Sequence, residues 1–245
     1  MSLAKNKLLE RDSGFHNAHL EEAQKRLVSS HSYKDLSTVI LCPTRGGRCL
    51  IPKVVSSWVG LMRPMNQQCL GPLFLESMEV GDAYNKGIEM ILNNPQLSQF
   101  KYVLTMEDDV IPPPDGLLKL YESMDNFDVV GALYWTKGED GMPMIYGSPS
   151  NPSFNFAPQL PIPETLQPAN GLGMGFNLFK LNIFKDPKLE KPWFKTVQEY
   201  IEGVGSRGYT QDLFFYEKAG KLGYKFACNT KVKCGHMDVS TGIVW

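Results

Sequence analysis

Three consecutive carboxylates, Glu107, Asp108 and Asp109, follow directly on the apolar run Tyr102-Val103-Leu104-Thr105-Met106. Carboxylates this close repel one another, and a divalent cation with hard oxygen ligands is the commonest way to relieve the repulsion. A solvated acidic turn ahead of Pro112-Pro113-Pro114 would carry the same local sequence. Thr44-Arg45-Gly46-Gly47 is a second candidate, a glycine-bearing loop between a strand and a helix. Amides at such a helix start favour anions, which makes nucleotide binding a reasonable reading. The loop matches neither G-x-G-x-x-G nor G-x-x-x-x-G-K-[ST], and a plain βα turn would look the same. Gly171, Gly173 and Gly175 alternate through a strand-like stretch at 170–179, where they let the backbone pass close to another group, a ligand included. Asp212 opens a helix carrying Leu213, Tyr216, Ala219 and Leu222, a position where an acid is favourable in its own right.

These candidates need a scaffold that brings them together. Residues 37–42 read as the first strand, broken by Pro43. A helix then starts near Pro52 and carries Val54, Val55, Trp58, Val59 and Met62 at helical spacing before Pro64 stops it. A short strand at 73–75 leads to a helix from Ala83 through Leu92. After the acidic strand, Pro114 and Asp115 open another helix, and 127–133 is the next strand. This repeated order predicts an α/β fold, a Rossmann-like three-layer sandwich around a mostly parallel sheet. In that architecture ligands bind in the crevice at the C-terminal ends of the strands, where Glu107 to Asp109 would lie. Seven of the 17 prolines fall between Thr136 and Ala169, which predicts a long substrate-covering loop with one strand-like stretch, Met144-Ile145-Tyr146. Residues 1–35 read as a helical extension and residues 36–245 as a single domain.

Lys+Arg total 25 against Asp+Glu 26, a formal net charge of −1, so no basic field argues for nucleic acid or an anionic membrane. No apolar run approaches the roughly 20 residues that a membrane span needs. The N-terminus, with Lys5, Lys7, Glu10 and Arg11, has no signal-peptide core, and a cytoplasmic location is the expectation. Cys42, Cys49, Cys69, Cys228 and Cys234 are an odd, scattered set that reads as free thiols. His16, His19 and His31 lie in polar surroundings and read as surface residues.

Four stations, taken in order, resemble the glycosyltransferases of the GT-A fold, in particular the large inverting, family 2-like group that uses nucleoside-diphosphate sugars. They are Val39-Ile40-Leu41-Cys42-Pro43-Thr44-Arg45, Glu107-Asp108-Asp109, the glycine-rich stretch 170–179, and Gln211-Asp212-Leu213-Phe214-Phe215 with Gly223-Tyr224, followed by His236. The resemblance implies a metal-dependent transfer of a sugar to an acceptor hydroxyl, with inversion. It implies that Pro43, Thr44 and Arg45 hold the nucleotide, and that Asn85, Lys86, Glu107, Asp108 and Gly173 contact the donor. Asp109 and His236 would be ligands of Mn²⁺ or Mg²⁺, a mixed carboxylate and imidazole shell that admits Mn²⁺ more readily. Asp212 would be the general base. UDP is favoured over GDP as the donor nucleotide, and the acceptor and oligomeric state stay open. The chain departs from the family pattern at Glu107, where an Asp is usual, at Gln211, where the first acid of a pair is usual, and at Tyr84, where relatives carry Arg. Glu76 and Glu79 both qualify for the acid that reads the base. The alternatives are a nucleotidyltransferase that forms sugar nucleotides, for which Thr44-Arg45-Gly46-Gly47 is a faint triphosphate loop, and a non-catalytic nucleotide- or carbohydrate-binding relative.

Overall fold

Strand β1 (Thr38–Thr44) sends alternate side chains into two different cores, Val39 and Leu41 into one, Ile40 and Cys42 into the other. Strand β3 (Tyr102–Met106) does the same with Val103 on one face and Leu104 and Met106 on the other. Strands apolar on both faces must be covered on both, and helices provide the cover. The computed structural model describes residues 34–44, 50–151, 153–203 and 205–245. Arg45, Cys49, the three N-terminal histidines and nearly all of the expected helical extension fall outside the described residues.

On one face lie α2 (Val80–Asn93), with Ala83, Tyr84, Ile88 and Ile91 buried, and α4 (Gln211–Lys221), with Phe215, Tyr216 and Ala219 buried. On the other lie α1 (Pro52–Val59), with Val54 and Trp58, and α3 (Gly116–Glu122), with Leu117 and Leu120. Helix α1 is shorter than its apolar spacing predicts and ends at Gly60. With β2 (Cys69–Glu76), β5 (Val129–Leu133), β7 (Leu166–Ala169), β9 (Phe176–Lys180) and β12 (Phe226–Lys233), the central sheet has seven strands in the order β2-β1-β3-β9-β5-β12-β7. Strands β2, β1, β3, β5 and β12 share one direction, and β9 and β7 run against it. The C-terminal ends of β1, β3 and β5 therefore lie along one edge.

Three local features differ from the sequence expectation. Residues 170–179 are not one strand. Strand β8 (Gly171–Leu172) pairs with β6 (Ile145–Tyr146), the chain turns at 173–175, and only β9 enters the main sheet, reversed between β3 and β5. The C-terminal end of the proline-rich segment joins the scaffold, because β7 closes the edge of the sheet against β12 and Pro168 is tolerated on that edge. A polar hairpin of β10 (Val197–Ile201) and β11 (Gly205–Tyr209) precedes α4. A further small pair joins β4 (Val110–Ile111) to β13 (Gly235–His236), with His236 opposite Val110.

An aromatic cluster fixes α4 against the sheet. Phe194 and Phe215 stack with centroids 4.9 Å apart, Tyr84 lies 5.3 Å from Phe194, and Phe179 and Phe184 meet Phe215 at 5.5 and 5.6 Å. Such pairs add to the burial of large apolar rings. Cys42, Cys69, Cys228 and Cys234 are free thiols. Among the described residues no helix is long and apolar enough to cross a membrane.

Candidate active site

The C-terminal ends of β1 and β3 open on a cleft of about 430 Å³ lined by Pro43, Thr44, Met78, Glu79, Val80, Glu107, Asp108, Asp109 and Gln211. A hollow of about 480 Å³ lies elsewhere, against Phe154 and Tyr224, but its lining has no carboxylate or imidazole. The chemically dense cleft is the first. Its acids sit on a turn that begins where β3 ends: Glu107 N donates to Gly175 O at 3.0 Å, and Val110 N closes back on Glu107 O at 3.2 Å.

Glu107 is half-buried and accepts a hydrogen bond from Tyr84 Oη at 3.2 Å. Burial, then the neighbouring Asp109 and Asp212 carboxylates, push its carboxyl up to about 8, against the small opposing pull of Tyr84. Tyr84 itself is fully buried in α2, and burial holds its hydroxyl well above the usual range, so it remains a donor. Tyr84 is thus a neutral partner of the first acid of the triplet.

Asp109 behaves oppositely. Burial would raise its carboxyl, but His236 and Lys137 outweigh burial and hold it down to about 2. Lys137 Nζ lies 2.6 Å from Asp109 Oδ2, and His236 Nε2 lies 3.7 Å from the same oxygen. The approach of Asp109 and His236 across so much sequence follows from backbone pairing, because β4 and β13 form a ladder and Met237 N donates to Asp109 O at 2.7 Å. His236 Nδ1 is 2.7 Å from the carbonyl of Trp135, which can only accept. In the neutral ring the proton therefore sits on Nδ1 and Nε2 keeps its lone pair toward Asp109. The His236 ring also packs edge-on to Tyr134, with centroids 5.3 Å apart.

This pair fits a divalent cation in type and spacing. Metal–nitrogen and metal–oxygen bonds of about 2.1 Å let one ion reach two donors that are 3.7 Å apart. The anchored Nδ1 is the arrangement that orients an imidazole ligand. Among the described residues no group of three or more His, Cys, Asp or Glu side chains converges in this way, so the protein would supply two donors and a ligand or water the rest.

Asp212 lies in the first turn of α4, 5% exposed and outside the cleft lining, to which its neighbour Gln211 contributes. Both hydrogen bonds that it accepts from neighbouring residues, from Thr210 Oγ1 and from Leu213 N, go to Oδ1. Burial raises its carboxyl above the ordinary range, and those two bonds only partly offset the effect.

Other residues singled out in the sequence are occupied differently. Asn85 is absent from the cleft lining: its amide donates to Phe194 O at 2.7 Å, and its Oδ1 accepts from Trp193 N and Phe194 N. It is a tether for the 193–194 segment, whose Phe194 ring stacks on Phe215 of α4. Lys86 is exposed on α2, outside the lining. Gly173 is buried against the protein itself, since a Cβ there would lie 2.2 Å from Tyr134 Oη and 2.6 Å from Met144 Cε. The close backbone approach for which Gly173 suits is therefore to Tyr134. Glu79 does line the cleft, but it is the N-cap of α2: Oε2 accepts from Gly81 N and Asp82 N, and Oε1 from Thr196 Oγ1. Sequence reasoning missed Lys137 altogether. The available signal was its place just after β5, a strand whose C-terminal end lies on the same edge as that of β3.

No protein-family model matches the chain, and no curated protein sequence does. Solved structures do. A197 from STIV superposes with a TM-score of 0.57 at 17% identity, over 82% of this chain and 86% of that one. GalNAc-T7, solved with UDP, GalNAc and Mn²⁺, superposes with a TM-score of 0.53 at 11% identity, over 84% of this chain and 45% of that one. The chain has the GT-A fold. At these identities the likeness is one of fold, and this chain spans less than half the length of the GalNAc-T7 structure. Within the GT-A fold, the cleft with Glu107 to Asp109 occupies the strand-end crevice where open α/β sheets take their ligands.

Proposed function

We propose that the protein is a glycosyltransferase, moving a sugar from a nucleoside-diphosphate sugar to an acceptor hydroxyl with inversion, with Mn²⁺ or Mg²⁺ held by Asp109 and His236. The observation that carries this reading is the convergence of Asp109 Oδ2 and His236 Nε2, 3.7 Å apart, at a strand-end cleft. The complex of GalNAc-T7 with UDP, GalNAc and Mn²⁺ on the same fold supports a nucleotide-sugar donor, with UDP preferred to GDP. The bound cation would neutralise charge on the departing diphosphate. Pro43 and Thr44 form the wall for the nucleotide, and Asp108 and Glu107 face the donor ribose and sugar. Arg45, which the resemblance assigns to the nucleotide, lies outside the described residues.

Asp212 does the proton transfer. As the acceptor oxygen bonds to the anomeric carbon from the side opposite the phosphate, the carbon–oxygen bond to phosphate breaks and its electron pair leaves with the nucleoside diphosphate. The hydroxyl proton passes to Asp212. Thr210 and Leu213 hold Oδ1, which orients the carboxylate and assigns the proton to Oδ2. A carboxyl raised by burial is a stronger base than an exposed one, which favours this role.

The direct test is thermal denaturation with UDP, GDP, TDP and CMP, each with and without Mn²⁺. A ligand at about 100 times its dissociation constant adds about 2.7 kcal/mol to stability. A nucleoside diphosphate, UDP foremost, should raise the melting temperature only when Mn²⁺ is present. Indifference to every nucleotide would overturn the reading in favour of a non-catalytic protein.

A further inference from the structure

One hairpin touches both groups of the proposed cation pair. Its stem joins Tyr134–Thr136 to Met142–Met144 through Met144 N to Tyr134 O at 3.0 Å and Thr136 N to Met142 O at 2.9 Å. From the stem, the Trp135 carbonyl fixes the His236 ring. From the start of the turn, Lys137 places its ammonium on Asp109 Oδ2 at 2.6 Å. That oxygen is the one that faces His236 Nε2. The Lys137 side chain is 31% exposed, and at the neighbouring Gly138, with φ at +111°, a Cβ would meet no atom within 4 Å. At this exposure the Lys137 side chain borders solvent, toward which its ammonium can swing.

We infer that Lys137 and a divalent cation compete for Asp109, and that the displaced Lys137 ammonium then binds the donor's diphosphate. The inference rests on the glycosyltransferase reading for its second half only. The physical argument is charge. A divalent ion on Oδ2 and an ammonium on the same oxygen would lie within a few ångströms of each other in a half-buried site, where like charges repel strongly. Cation entry therefore costs the Lys137–Asp109 ion pair. A diphosphate repays that cost, because its oxygens offer the freed ammonium new charge-assisted hydrogen bonds. Cation and nucleotide consequently favour each other's binding, and Lys137 is a binding residue for the phosphates in the loaded state.

The test is calorimetric titration of Mn²⁺, without nucleotide, into wild-type protein, Lys137→Met, Lys137→Arg and His236→Ala. Lys137→Met should bind Mn²⁺ up to about fivefold more tightly than wild type, the scale of a partly exposed ion pair. Lys137→Arg keeps the charge and should stay near wild type, while His236→Ala should bind weakly. With Mn²⁺ saturating, UDP should bind Lys137→Met more weakly than wild type. Equal Mn²⁺ affinity in Lys137→Met and wild type, or no measurable binding in either, overturns the inference. If Lys137→Met gains Mn²⁺ affinity but no nucleotide binds any form, the competition stands and the glycosyltransferase reading fails. If nucleotide binding requires Mn²⁺ but Lys137→Met leaves both affinities unchanged, that reading stands and the role of Lys137 fails.

Discussion

Asp212 and Glu107 are carboxyls held above their ordinary range chiefly by burial, while Asp109 is held below it by Lys137 and His236. This division assigns proton chemistry to Asp212 and fixed negative charge to Asp109. Asp212→Asn is the sharpest test, because an asparagine Oδ1 can keep the bonds from Thr210 and Leu213 while the side chain loses its basicity. Transfer should fall by about 10²- to 10⁴-fold, with metal-dependent nucleotide binding retained. The stability effect has the opposite sign. The folded pKa of Asp212 is raised, so its contribution to stability is complete below the unfolded value of about 3.9 and is lost as pH rises through the folded pKa. At pH 7 the variant should therefore melt higher than wild type, and the gap should close as pH falls toward 4. If Asp212 were only a helix-start acid, the variant would lose about 0.5–2 kcal/mol and turn over normally. The candidates Asp212 and Glu107 to Asp109 were legible because each lies in one short, chemically dense stretch. Lys137 was not, since nothing near Trp135-Thr136-Lys137-Gly138 in sequence indicates that Asp109 lies beside it. Asn85 misled for the same reason: its partners, Trp193 and Phe194, are more than a hundred residues away.

At the scale of elements, β1 and β3 could be read because they are buried on both faces and are apolar almost throughout. Strand β7, Leu166-Gln167-Pro168-Ala169, carries a proline that argues against a strand until its place on the sheet edge is known. Hairpin β10–β11 is polar and pairs mainly with itself, so it leaves little apolar pattern. The glycine-rich stretch does need close backbone approach, but at Gly173 and Gly175 the partner is the phenol of Tyr134. This gives a test. Gly173→Ala should destabilise the protein by about 1–3 kcal/mol, the usual range for overpacking. Tyr134→Phe removes the nearest atom, Oη at 2.2 Å, and leaves Cζ at 3.0 Å as the nearest ring atom. Gly173→Ala should therefore cost less in a Tyr134→Phe background than in wild type, as measured by a double-mutant cycle in urea. Equal costs in the two backgrounds would return Gly173 to the list of candidate ligand contacts.

For the whole molecule, the layered α/β architecture followed from the alternation of strands and helices, whereas the reversed direction of β9 did not. Strand direction is a property of long-range pairing: β9 is antiparallel to both β3 and β5, and no local pattern records that. The same strands set how the molecule should unfold. Residues Leu36–Trp245 form one compact unit, and β1, β3 and β9 each feed side chains to both cores, Val39 against Ile40, Val103 against Leu104, Phe179 against Leu178. Neither core can be lost while these strands stay in place, so the two faces should melt together. The proposal that residues 36–245 are a self-sufficient domain then has a definite outcome. A chain comprising only those residues should show one calorimetric transition, with calorimetric and van't Hoff enthalpies agreeing, and a melting temperature within about 2 °C of the full chain. Because about 1 kcal/mol moves the midpoint of a domain this size by roughly 2–4 °C, a fall of about 8 °C or more would mean that residues 1–35 contribute several kcal/mol. Two resolved transitions would instead separate the cores that the shared strands tie together.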